Sequence, residues 1–143
     1  MVKETVLRRM VYTATGLVIG VAALFAFVFI PRLAVHPQAI ADGVDRSSKV
    51  FFIIQLMAAA VLLAFIIRSR HGGRKIKELL VLAGIVVILL AFMVFSSAIY
   101  SLQTYHGLYE VAILQLVCVG ANLIAGILAI IAAIMLRHWS SAK

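Results

Sequence analysis

Four long apolar runs, at residues 10–30, 50–67, 79–99 and 111–136, alternate with short polar stretches along this chain. Each reaches or nears the ~18 residues that cross a ~30 Å hydrocarbon layer as a helix rising ~1.5 Å per residue. None contains Asp, Glu, Lys or Arg, so none has the charged face that a surface helix of a soluble bundle turns to water. The pattern predicts an all-α membrane protein, a bundle of four transmembrane helices forming a single domain over residues 1–143.

The run from Val111 to Leu136 has the most informative periodicity. At heptad spacing one stripe reads Gln115, Cys118, Asn122, Ala125, Ala129, Ala132, and beside it lie Ala112, Val119, Gly126 and Ala133. The other faces carry Leu116, Val117, Leu123, Ile124, Ile127, Leu128, Ile131 and Ile134. Lipid tails are as apolar as leucine, so membrane helices associate through close backbone approach and interhelical hydrogen bonds. Small residues permit the first and carboxamides supply the second. Gln115, Cys118, Asn122, Ala125 and Gly126 are therefore expected to face another helix, of this chain or of a partner.

Gly16 and Gly20 give the first run a GxxxG spacing, extended by Thr13 and Ala23. The main expectation for it is packing inside this bundle, and the alternative is contact with another chain. Pro31 is expected to stop the first helix. The segment 31–49 reads as the longest polar loop, with turns at Pro37 and Asp42-Gly43, and with Ser47 and Ser48 as caps of the second span. Ala39-Ile40-Ala41 has the spacing of a signal-peptidase site but lies too far beyond the apolar run to serve as one. The basic connection Arg68–Lys77, with Gly72-Gly73 at its apex, predicts a hairpin of spans two and three. Tyr100, Tyr105 and Tyr109 at one level, with Tyr12 and Trp139 at the other, form an aromatic belt pattern.

The net charge of +8 would suit nucleic acid if it were clustered. Instead it follows topology. Lys3, Arg8, Arg9, Arg68, Arg70, Arg74, Lys75, Lys77, Arg137 and Lys143 fall on one side of a four-span arrangement, and Arg32, Arg46 and Lys49 on the other. Positive charge concentrates on the cytoplasmic side, so both termini are expected in the cytoplasm of a plasma or inner membrane. Anionic lipid headgroups are then the natural partners of the basic side, bound lipid is expected, and nucleic acid is not. Cys118 is the only cysteine, so an intrachain disulfide is excluded.

Candidate chemistry is sparse. Gln55, Gln115 and Asn122 are the amides within spans, and they read either as interhelical glue or as the lining of a polar path. No ionisable carboxylate or base lies deep in a span, which argues against a proton-coupled transporter. His36 and His106 are weak metal candidates, and a bis-histidine haem drawn from His36, His71, His106 and His138 is disfavoured because these lie in loops or at helix ends. Neither cofactor is predicted. Tyr105, His106 and Glu110 form the best trio for catalysis, yet no nucleophile triad, zinc motif, phosphate loop or dinucleotide fingerprint is present.

The resulting expectation is a non-catalytic accessory or structural subunit of a larger membrane complex, of a respiratory or other energy-converting kind. It would bind other membrane subunits through the small-residue faces. A small oligomeric channel or transporter with an amide-lined path, and a small haem- or quinone-binding protein, are the alternatives.

Overall fold

The computed structural model describes residues 2–35, 37–70, 77–104 and 109–141. Seven helical segments lie among these residues, six α-helical and one π-helical. Helix α1 (Val2–Leu24) continues through a π-helical turn (Phe25–Phe29) into α2 (Ile30–Ala34); α3 (Pro37–Asp42), α4 (Val44–Arg70), α5 (Lys77–Thr104) and α6 (Tyr109–Ser141) follow. Four candidate membrane spans result: Thr5–Ala34, Arg46–Arg68, Glu78–Thr104 and Tyr109–Leu136. Large apolar side chains cover the outside, among them Phe27 at 81% exposure, Met57 at 62% and Phe92 at 60%. A surface that apolar suits lipid and not water.

Three features differ from the sequence reading. Pro31 does not end the first helix. Proline lacks an N–H and its ring collides with the carbonyl four residues back, here that of Phe27. The π-helical turn just before it widens the helix, with Ile30 N–H donating to Phe25 O, and the helix runs on to Ala34. Most of segment 31–49 is also helical; α2 ends at Ala34, and α3 is separated from α4 at Gly43, whose φ of +79° is the left-handed conformation that only glycine adopts cheaply. Finally, α4 begins at Val44, ahead of both serines, so neither caps it; Ser47 Oγ donates back to Gly43 O at 3.3 Å.

The helices form a ring in which α1 packs on α4 and α6, and α5 packs on the same two from the opposite side. The α5–α6 contact is the most extensive. Across the diagonal, α4 and α6 run in the same direction. Near one end Arg32 Nη1 lies 3.9 Å from Glu110 Oε2, and Tyr100 Oη donates to Asp42 Oδ2 at 3.4 Å.

Two apolar clusters fill the interior. One contains Leu7, Val11, Ala14, Val18, Leu62, Phe65, Leu80, Val87, Ala125 and Ala132. The other, toward the Arg32–Glu110 end, contains Val21, Phe25, Phe29, Leu33, Phe51, Leu90, Val94, Val111 and Cys118. Between Val18 and Val21 on α1, Phe51 and Ala58 on α4, and Val119 and Ala125 on α6, one cluster gives way to the other. That boundary is polar.

Candidate functional site

The boundary layer is built by three helices. Gln55 Nε2 on α4 donates to Asn122 Oδ1 on α6 at 3.0 Å, and Asn122 Nδ2 donates back to Gln55 Oε1 at 3.2 Å. Gln55 Nε2 also donates to the backbone oxygen of Val18 on α1 at 3.1 Å. Both amides are fully buried. A carboxamide in an apolar interior must find partners, and a second carboxamide presents a matching donor and acceptor edge. The long side chains of α4 and α6 thus meet across the bundle diagonal near mid-span, where the helix backbones themselves stand apart.

The predicted stripe of α6 is buried throughout: Gln115, Cys118, Asn122, Ala125, Ala129 and Ala132 are each no more than 1% exposed. Val117, Ile124, Ile127, Ile131 and Ile134 on its other faces are exposed. The stripe is covered by this chain's own helices. At its flank Gly126 meets Gly84 of α5. A Cβ placed on Gly126 would lie 2.5 Å from Ile88 Cγ1 and 3.0 Å from Gly84 O; one placed on Gly84 would lie 2.8 Å from Ile130 Cγ1 and 3.0 Å from Gly126 O. Backbone meets backbone here, and neither glycine has room for a methyl group. Gly84 is a contact residue that sequence reasoning missed, because a lone glycine in the apolar run 79–99 has no partner at four-residue spacing to mark it.

Gly16 and Gly20 lie elsewhere. Both are exposed, a Cβ on either would meet nothing within 4 Å, and Thr13 and Ala23 are exposed beside them. The expectation that this GxxxG packs inside the bundle is therefore corrected. The buried face of α1 is instead Leu7, Val11, Ala14, Val18, Val21 and Phe25, at the helical spacing of bulkier residues.

Gln115 does not join the Gln55–Asn122 layer. It is buried two turns nearer the Arg32–Glu110 end, and both polar atoms of its amide lack a partner among the described residues. The hydroxyls of Ser48 and Ser101 are likewise buried and unpartnered.

His36, His71, His106, Tyr105 and the Gly72-Gly73 apex lie outside the described residues, as do the side chains of His138 and Trp139. Among the described residues no group of three His, Cys, Asp or Glu side chains is placed to hold a metal. Glu110, the third member of the Tyr105-His106-Glu110 trio, is exposed and faces Arg32. No protein-family model, curated protein or solved structure matches the chain.

Proposed function

We propose that this chain is a non-catalytic accessory subunit of a larger membrane-embedded assembly, and that it docks a partner helix on the face of α1 formed by Thr13, Gly16, Gly20 and Ala23. One observation carries the reading: this close-approach surface is unused by the chain's own bundle, whereas the comparable surface of α6 is spent internally. In a lipid environment a small-residue face gains little from acyl chains and much from another backbone. The pairing of Gln55 with Asn122 supports a packing role for those amides over a polar path, since each uses its hydrogen-bonding edge on the other.

The proposed orientation places both termini and the basic residues in the cytoplasm, against anionic headgroups. The experiment is gentle solubilisation of native membranes followed by affinity capture of the chain. Copurification with larger membrane polypeptides at fixed stoichiometry, reduced by Gly16→Leu, supports the proposal. Recovery as a free monomer, with or without Gly16→Leu, counts against it.

A further inference from the structure

We propose that Ser48 and Gln115 form a binding site for a buried water molecule, which links α4 to α6 in the half of the bundle nearer the Arg32–Glu110 end. Register is the first ground. Ser48 and Gln115 each lie seven residues before Gln55 and Asn122, on two helices that run the same way. Seven residues is close to two turns, so the pair faces the same diagonal ~10 Å further along. At Gln55–Asn122 two carboxamides span that diagonal and bond directly. A serine side chain is shorter than an asparagine by about one bond length, ~1.5 Å, and Ser48 and Gln115 make no direct hydrogen bond.

Unsatisfied polarity is the second ground. Ser48 is 0% exposed and Gln115 1%, and Ser48 Oγ, Gln115 Nε2 and Gln115 Oε1 have no partner among the described residues. Buried polar atoms in folded proteins are almost always bonded, and internal water supplies the bond when protein does not.

Chemistry selects the ligand. The amide offers two donors and an acceptor, and the hydroxyl offers a donor and an acceptor, so the ligand must both donate and accept. The charged neighbours of Ser48 on α4, Arg46 and Lys49, are exposed, so no buried charge among the described residues calls for an ion. Phe25, seven residues beyond Val18, comes to the same level on the π-helical turn. It packs edge-on against Phe29, with ring centroids 5.0 Å apart, and against Phe51, at 6.5 Å. These three buried rings bound the level with apolar surface and offer the amide no hydrogen-bond partner. Water meets all of these conditions.

The test is water-selective NOE spectroscopy of the full chain in lipid nanodiscs, labelled with 15N-glutamine. Four glutamines are present, and Gln115→Met identifies the Gln115 signal by its loss. If that variant does not fold, the signal is assigned through contacts to neighbouring α6 protons. The Gln115 side-chain NH2 is expected to give a cross peak to long-lived water, and that of Gln55 to give none. In Ser48→Ala the Gln115 cross peak is expected to weaken, because the water loses the hydroxyl that holds it from α4. Three outcomes overturn the proposal: no water cross peak at Gln115; a cross peak unchanged in Ser48→Ala, which removes Ser48 from the site; or cross peaks to a retained organic molecule.

Discussion

Gln55 and Asn122 exchange hydrogen bonds in both directions, at 3.0 and 3.2 Å, at the point where the two apolar clusters of the bundle meet. A third bond, to Val18 O, brings α1 into the same layer. Apolar side chains in a membrane bundle have no preference for each other over lipid, so shape alone specifies register weakly. A reciprocal carboxamide pair specifies it strongly, because a slip of either helix by one residue leaves polar atoms buried and unpaired.

Replacing both amides should therefore cost less than the two single replacements added together. Asn122→Leu is expected to lower bundle stability by about 1–3 kcal/mol, since it strands the Gln55 carbonyl. Gln55→Leu/Asn122→Leu should lose less than the sum of the single variants, with a coupling of ~0.5–2 kcal/mol. Reversible unfolding in mixed micelles measures all three. Strict additivity would contradict direct pairing.

The Gly84–Gly126 crossing makes a contrast with Gly16. Gly126→Ala introduces a Cβ 2.5 Å from Ile88 Cγ1 and 3.0 Å from a backbone oxygen, so α5 and α6 must separate. A loss of ~1–3 kcal/mol is expected for overpacking of this kind. Gly16→Ala meets no atom within 4 Å, and replacing a mid-helix glycine should leave the isolated bundle unharmed or more stable by ~0.5–1 kcal/mol. Thermal denaturation of the purified chain separates the two. Equal losses would show that the outward placement of Gly16 is wrong.

What could be read from the chain and what could not divide along physical lines. The α6 stripe was legible because its small and amide residues repeat at heptad spacing opposite leucine and isoleucine. The spacing of Gly16 and Gly20 was equally plain, yet its direction was not: a GxxxG shows that a face permits close approach, without saying which neighbour takes it. On α1 the bulkier stripe through Val11, Val18 and Phe25 is the one that fills the interior. Pro31 misled for a different reason. Its usual effect is to break a helix, and the compensating π-helical turn at Phe25–Phe29 has no signature in an apolar run. The Gln55–Asn122 bond required knowing that α4 and α6 stand across a diagonal, which no local pattern encodes.

Gly43 separates α3 from α4 with φ at +79°. Gly43→Ala is expected to destabilise the chain by ~1–2 kcal/mol, as alanine is forced into the left-handed region, although no atom obstructs its Cβ. Unfolding measurements on this variant check the effect. An unchanged midpoint would show that the turn rearranges freely.

The proposed orientation is tested by cysteine labelling. In a Cys118→Ser background, which leaves no native thiol, Ala41→Cys places an exposed thiol on α3, near the Arg32–Glu110 end. An impermeant maleimide added to intact cells should label it, whereas a cysteine appended after Lys143 should react only after lysis. The reverse pattern would invert the topology.

The most direct test of the α1 docking face is a photocrosslink from its edge. Ala23→Cys in the Cys118→Ser background, carrying a benzophenone maleimide and irradiated in native membranes, should attach this chain to a larger membrane polypeptide. The same probe at exposed Ile124 on α6 should attach only lipid. Lipid adducts alone at position 23, or crosslinks equal to those at position 124, would contradict the account.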